Sequence, residues 1–130
     1  MASHECGRIP ARRVELLRAL GRDFRLGLVS DLWAPARRCR DYLDSLGLAG
    51  LFGSLVFSSE HGAVKPARQL FERALGELDA DPARTLFVGD DLARDVAGAA
   101  NCGLATVWIG EPERPNGADW VLRDVLELAV

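Results

Sequence analysis

Short apolar runs alternate with helix-forming segments along almost the whole chain, and this alternation restricts the fold more than any other feature. Apolar runs of strand length lie at 26–29, 54–57, 85–88 and 105–109, with a shorter one at 120–122. Helical segments separate them, beginning at Pro10, Pro35 and Pro66, with a fourth at 92–101. Strands that alternate with helices build βαβ units. The sequence therefore predicts an α/β fold, with a Rossmann-like parallel sheet and helices on both faces.

Composition sets the broad class of the chain. Its 130 residues are 48% hydrophobic and 27% charged, which predicts one globular domain over 1–130, with residues 1–8 as a disordered segment or linker. The net charge of −3 provides no basic surface for nucleic acid, and no apolar run is long enough to cross a membrane. The three widely separated cysteines favour reduced thiols and a cytoplasmic location.

Polar side chains follow the strands where a parallel sheet places its ligands. Ser30 and Asp31 come directly after the first strand, and Lys65 precedes the third helix. Asp90, Asp91 and Asp95 follow the strand at 85–88. The carboxyl ends of parallel strands share one edge, so we expect these groups to lie close together.

The chemistry of these groups favours an anionic ligand and a hard cation. A hydroxyl in a turn and an ammonium group suit a phosphate oxygen. Carboxylate oxygens suit Mg²⁺, so Asp90, Asp91 and Asp95 are the predicted metal ligands. Asp91 and Asp95 stand at i and i+4, so their like charges should face each other unless a cation such as Lys65 compensates them. Taken singly, each residue also fits a helix cap, a turn former or a surface charge.

Three segments together resemble the haloacid dehalogenase-like (HAD-like) hydrolases. RLGLVSD, EHGAVKPARQLFERAL and TLFVGDDLARDVAGAANCGLATVWIG are similar to that family's second, third and fourth motifs, and the resemblance covers 9–128. It implies a HAD-like core and Mg²⁺-dependent phosphatase chemistry on a small phosphorylated molecule.

The same resemblance implies a role for each site residue. Ser30 and Asp31, which share one turn, would bind the phosphoryl group, with a hydrogen bond from Ser30. Lys65 would neutralise the phosphoryl group, and Asp90 would ligate Mg²⁺. Asp91 and Asp95 would orient or complete the metal site.

The family's first motif, an apolar strand that ends in Asp-x-Asp and provides the nucleophile, has no match in this sequence. Asp79-Ala80-Asp81 precedes a strand instead of following one, and Asp31 has no second carboxylate after it. We therefore expect a core that lacks its central N-terminal strand, weak or absent Mg²⁺ binding, and no activity of the chain alone. The exposed strand edges should favour self-association or strand exchange.

Several interpretations stay open at this stage. The chain is either a fragment of a longer enzyme or a shortened relative, and the main alternative to a hydrolase is a non-catalytic binding or interaction module derived from the HAD fold. A receiver-like signalling domain also uses Asp, Ser and Lys around Mg²⁺, but this chain lacks the N-terminal acidic pair. His61 lies near Ser58, but no acid orients it, so a catalytic triad is not expected.

Overall fold

The structure, a computed structural model, describes residues 9–32 and 35–128. The expected linker over residues 1–8 lies outside the described residues. In chain order, the helices and strands are α1 (Ala11–Asp23), β1 (Leu26–Ser30), α2 (Ala36–Ser45), β2 (Phe52–Phe57), α3 (Arg68–Leu78), β3 (Leu86–Gly89), a π-helical segment (Leu92–Ala97) that continues as α4 (Gly98–Ala100), β4 (Ala105–Ile109) and β5 (Trp120–Leu122). Short 3-10 turns join several of them, and one at Val125–Leu128 follows β5.

The predicted order of strands and helices is confirmed, with a shift at the start of α3. The sequence predicts that this helix begins at Pro66, but it begins at Arg68. The Ala67 N–H donates to the Val64 carbonyl and closes a turn, and Ala67 has an extended ψ of 123°. Lys65 lies in the loop between β2 and α3, in hydrogen-bond contact with Asp31 after β1, which is important for the site.

All strand pairings are parallel, as predicted, but the strands form two sheets. β1 pairs with β2, whereas β3 pairs with β4 and β4 with β5. Among the described strands, β1 and β3 are not paired with each other, so the sheet has not closed up across the position of the expected missing strand. Within the described ranges, the predicted parallel arrangement is thus divided between a two-stranded sheet and a three-stranded sheet.

Two apolar layers enclose β1 because successive strand side chains point to opposite faces. Val29 packs with Leu70 and Phe71 of α3, in a cluster that also includes Phe87 of β3. Leu28 packs on the other face with Cys39 and Leu43 of α2. The Phe71 and Phe87 rings meet edge to face with centroids 5.1 Å apart, so α3 holds the two sheets together.

Cysteine chemistry differs from the sequence-based expectation. Cys102 is a free, buried thiol, and burial raises its pKa. Cys39 is disulfide-bonded, so the prediction of reduced thiols is wrong for this residue. The spacing of the cysteines contained no signal for this bond, and the cytoplasmic location stays a prediction without support from Cys39.

No helix in the described part of the chain is both long and apolar enough to span a membrane.

Candidate functional site

The carboxyl end of β1 places a buried hydroxyl and a buried carboxylate side by side. Ser30 is the last residue of the strand and Asp31 follows it, and both are buried. The Leu32 N–H donates to Ser58 Oγ over 2.8 Å, which ties the turn after β1 to the turn after β2. Asp31 Oδ1 accepts a 3.0 Å hydrogen bond from the Lys65 backbone N–H, so the loop before α3 joins the same edge.

A buried ion pair connects the two sheets at this edge. The Lys65 ammonium lies 2.7 Å from Asp95 Oδ1, and the two side chains are only 1% and 0% exposed. The other carboxylate oxygen, Oδ2, accepts the Asp91 N–H over 3.1 Å. Because both charges are removed from water, each depends on the other for compensation.

Glycine at position 89 makes room for this arrangement. A Cβ atom built on Gly89 would overlap the Cβ and the carboxylate of Asp95. Gly98, the first residue of α4, has a similar role, since a Cβ there would meet the Phe71 ring 2.9 Å away. Because Gly89 and Gly98 have no Cβ atom, the π-helical segment and α4 can approach β3 and α3 closely.

Asp91 caps the start of the π-helical segment. Its Oδ1 accepts the backbone N–H groups of Ala93 and Arg94 over 3.0 and 2.8 Å, and its Oδ2 lies 3.3 Å from Arg94 Nε. The hydrogen bond from the Arg94 N–H is the main cause that lowers the pKa of Asp91. Asp91 in turn raises the pKa of Arg94. The like charges of Asp91 and Asp95 are thus compensated by Arg94 and Lys65 respectively, and the cluster is not self-repelling.

Arg94 is a site residue that sequence reasoning missed. Its guanidinium pairs with Asp91 and also lies 3.5 Å from Asp31 Oδ2, so it forms a second link between the ends of β1 and β3. The sequence predicts the pair of Arg94 with Asp91, because Arg94 lies three residues after this capping aspartate. No sequence signal predicts the second, because 63 positions separate Arg94 from Asp31.

Asp90 differs from its two acidic neighbours because its side chain is exposed. Its backbone is held in place by the Trp108 indole N–H, which donates to the Asp90 carbonyl over 3.0 Å. The apolar run at 105–109 predicts only a core position for Trp108. A buried indole N–H needs an acceptor, however, and this need is the sequence signal for a polar contact.

The fit of this edge to Mg²⁺ is partial. Asp90 offers an exposed carboxylate, whereas Asp91 and Asp95 bind the helix start, Arg94 and Lys65. In the part of the chain that the structure describes, no group of three or more His, Cys, Asp or Glu side chains is placed to hold a metal ion. Two of the three predicted ligands, Asp91 and Asp95, are thus already engaged by groups of the protein itself.

The remaining acidic pair lies at the opposite edge of the sheet. Asp79 is the left-handed C-cap of α3, with φ 50°, and Asp81 caps the 3-10 turn that leads into β3. Arg25, immediately before β1, donates to the carbonyl groups of Leu78 and Asp79. Asp79-Ala80-Asp81 therefore lies at the amino ends of β1 and β3, away from Ser30 and Lys65.

Residues 63–128, half of the chain, match the family described as HAD-hydrolase-like. The chain belongs to the HAD-like hydrolases. Pyrimidine 5'-nucleotidase YjjG of Escherichia coli is 33% identical over 88% of this chain and 52% of its own length. Glyceraldehyde 3-phosphate phosphatase of Pyrococcus abyssi is 33% identical over 77% of this chain and 41% of its own length.

A solved structure of a HAD-like protein also resembles this chain in its fold. The putative HAD-hydrolase YfnB of Bacillus subtilis, bound to magnesium, is 25% identical and superposes with a TM-score of 0.75 over 88% of this chain and 51% of its own. This HAD-like chain thus spans about half the length of the curated relatives it matches.

Replacing Asp91 by alanine is expected to cost about 1 kcal/mol of unfolding free energy at pH 7, since it removes a helix cap. Asparagine at this position should cost less, because its amide oxygen can still accept the two N–H groups. A lowered pKa means that the charged cap stabilises the fold above the unfolded pKa of about 3.9 and loses this effect as the pH falls through the folded value. Urea unfolding at pH 7 and pH 3 checks this.

The control for this prediction is Asp44→Ala, at an exposed position of α2. The difference in unfolding free energy between the wild type and Asp91→Ala should shrink from pH 7 to pH 3. The corresponding difference for Asp44→Ala should not shrink in this way. An Asp91→Ala variant as stable as the wild type at pH 7 would show that the cap contributes nothing.

Proposed function

We propose that this chain forms the phosphoryl-binding half of a Mg²⁺-dependent HAD-like phosphatase that acts on a small phosphorylated molecule. One observation carries the proposal: hydrogen bonds and ion pairs from Lys65 join the ends of β1 and β3 at one edge of the sheets. Ser30, Lys65 and Asp90, the three residues that resemble the family's second, third and fourth motifs, belong to that edge.

Each of these residues has a distinct part in the proposed chemistry. The Ser30 hydroxyl donates to a phosphoryl oxygen at the end of β1. The Lys65 ammonium supplies positive charge beside it, from a position held by Asp95. Asp90 would hold the metal ion, and when bound that ion neutralises charge on the phosphoryl group. Asp31 orients Lys65 through its backbone N–H instead of reaching a ligand directly.

Among the residues that the structure describes, we assign no carboxylate at this edge as the covalent nucleophile. Asp31 is buried and bonded to Lys65 and Arg94, and Asp79 and Asp81 belong to the opposite edge. Removal of a carboxylate nucleophile costs several orders of magnitude in rate. We therefore expect the 130-residue chain to have no measurable phosphatase activity by itself, and its Mg²⁺ binding to be weak.

In this proposal, segments other than this chain determine which substrate the enzyme selects. The two curated relatives are named as a pyrimidine 5'-nucleotidase and a glyceraldehyde 3-phosphate phosphatase, yet both match this chain at 33% identity. Because relatives with different named substrates share this half, we propose that it binds the common phosphoryl group and that other segments select the rest of the molecule.

The proposal is tested by completing the chain. A chimera joins the part of the Escherichia coli relative that precedes the matched region to residues 9–128 of this chain. The chimera should hydrolyse a generic aryl phosphate with Mg²⁺ and lose this activity with a chelator, whereas the chain alone should not hydrolyse it. A folded chimera without activity would favour the alternative of a non-catalytic binding module, and turnover by the chain alone would identify Asp31 as the first nucleophile to test.

A further inference from the structure

Five charged residues at the site edge form a closed ring of contacts. Arg94 Nη1 lies 3.5 Å from Asp31 Oδ2, and Asp31 Oδ1 accepts the Lys65 N–H over 3.0 Å. The Lys65 ammonium lies 2.7 Å from Asp95 Oδ1, and Asp95 Oδ2 accepts the Asp91 N–H over 3.1 Å. Asp91 Oδ2 lies 3.3 Å from Arg94 Nε, which closes the ring. We call these five residues the charged ring.

The charged ring joins three separate parts of the chain. Asp31 follows β1, Lys65 lies in the loop before α3, and the other three members lie at the start of the π-helical segment after β3. Two of the contacts use the backbone N–H groups of Lys65 and Asp91, so the ring holds main chain as well as side chains. Each member is held from two sides, and a contact in such a network supports the contacts beside it.

Lys65 is the member of the charged ring that the proposed function places against the phosphoryl group. Its side chain is long and flexible, and it needs fixed partners to present the ammonium in one direction. Asp95 binds the ammonium, whereas Asp31 binds the backbone N–H of the same residue. Two different turns thus hold the two ends of Lys65, and a shift of either turn would move the ammonium.

Arg94 provides the closing link between those two turns. Its guanidinium presents Nε to Asp91 and Nη1 to Asp31, which a lysine ammonium, as a single point charge, would not reproduce. Its contact with Asp31 is the longest of the five in the ring, and its side chain is 53% exposed. The ring should therefore open first at the contact between Arg94 and Asp31.

We propose that Arg94 is a positioning residue for Lys65, which acts through Asp31 to hold the Lys65 ammonium in the orientation that phosphoryl binding requires. Arg94 pairs with two carboxylates, and two cations do not pair with each other, so its effect on Lys65 is indirect. The inference rests on the proposed function only for the role of Lys65 as the phosphoryl-binding group, because the ring itself belongs to the folded chain.

Lys65 is the single lysine among the 130 residues, which gives the test a specific signal. The full chain, labelled with ¹³C and ¹⁵N in lysine alone, gives one set of lysine side-chain signals in an NMR spectrum. A fixed side chain keeps the two protons on Cε at separate chemical shifts, and a buried, paired ammonium exchanges its protons slowly with water. A mobile lysine loses both properties, so the two signals report the position of Lys65 directly.

Arg94→Gln removes the closing link and should raise the exchange rate of the Lys65 ammonium protons at least about tenfold at constant pH. The separate shifts of the Cε protons should merge. Asp31→Asn should have the same effect, although its amide oxygen can still accept the Lys65 N–H. Because both variants break the same contact, the double variant should stay within about twofold of the larger single effect.

Arg25→Gln is the matched control, because Arg25 makes long-range contacts at the opposite edge of β1. It donates to the carbonyl groups of Leu78 and Asp79 over 2.6 and 3.3 Å. This variant loosens the fold away from the charged ring and should leave the Lys65 exchange rate within about twofold of the wild type. An unchanged Lys65 signal in Arg94→Gln, or an equal change in Arg94→Gln and Arg25→Gln, would overturn the inference.

Salt provides a second test that needs no substitution of Arg94 and that applies if Arg94→Gln does not fold. Salt screens the half-exposed pairs of Arg94 far more than the buried pair of Lys65 and Asp95. A change from about 0.05 to about 1 M NaCl should raise the Lys65 exchange rate at least about threefold more in the wild type than in Asp31→Asn. Equal salt dependence of the two proteins would also overturn the inference.

The outcomes for this inference and for the proposed function are separable. A changed Lys65 signal in Arg94→Gln together with an inactive, folded chimera would leave the charged ring standing and remove the phosphatase proposal. An active chimera together with an unchanged Lys65 signal would do the opposite.

Discussion

Replacing Lys65 by methionine is expected to lower the free energy of unfolding by about 3–5 kcal/mol. The substitution keeps most of the apolar volume of the side chain but removes its charge, and it leaves the Asp95 carboxylate buried beside the Asp91 N–H without the Lys65 ammonium. A buried charge without a counter-charge is far less stable than the same group in water. Urea unfolding at pH 7 measures the loss.

The matched control for Lys65→Met is Arg73→Met on α3. Arg73 pairs with Glu77 over 3.0 Å, but the two side chains are 57% and 38% exposed. Surface pairs of this kind contribute little, so the control should change the unfolding free energy by less than about 1 kcal/mol.

The double variant Lys65→Met with Asp95→Asn separates the ion pair from general packing. The double variant removes both charges. Its loss of unfolding free energy should therefore be smaller than the sum of the losses of the two single variants, by a coupling energy of about 1–3 kcal/mol. A Lys65→Met variant as stable as Arg73→Met, or strictly additive losses, would show that the buried pair does not hold the two sheets together.

Replacing Gly89 by alanine is expected to be the second most damaging change, with a loss of about 1–3 kcal/mol. The added methyl group would overlap Asp95, whose carboxylate is fixed from two sides by Lys65 and the Asp91 N–H. Because Asp95 cannot turn away without leaving Lys65, either the ion pair or the end of β3 must move. Thermal or urea unfolding reports the loss.

Gly76→Ala is the control for this substitution. Gly76 lies within α3 and is exposed, and a Cβ atom added there would meet nothing within 4 Å. Alanine there should stabilise the helix by about 0.5–1 kcal/mol. Opposite signs for the two glycines are expected, and a stabilised Gly89→Ala variant would contradict the close contact between β3 and Asp95.

The order of elements was predictable because local patterns determine it. Apolar runs of four or five residues fixed β1, β3 and β4, and the prolines before α1 and α2 fixed where those helices begin. The start of α3 was not predictable, because the turn that delays it depends on a hydrogen bond between Val64 and Ala67.

The sequence predicts which residues lie at the candidate site, but it does not predict which of them contact one another. The position of Lys65 and Asp95 at one edge followed from strand ends, but their ion pair joins residues 30 positions apart and depends on the packing of α3. Residue type alone predicts Asp91 and Asp95 to be metal ligands. The contacts of the folded chain bring Asp91 to the helix start and Asp95 to Lys65. Residue type therefore does not predict these two contacts, and the metal-ligand role of both residues stays a prediction.

The measurement that tests the account most directly is the rate of aryl phosphate hydrolysis by the chimera, compared between Asp90→Asn and Asp44→Asn. Both variants remove one exposed carboxylate, but only Asp90 lies at the edge shared with Ser30 and Lys65. We expect kcat/KM to fall at least a hundredfold for Asp90→Asn, equivalent to about 2.7 kcal/mol of transition-state stabilisation, and to stay within twofold for Asp44→Asn. Equal activity of the two variants would contradict the assignment of this edge as the phosphoryl-transfer site.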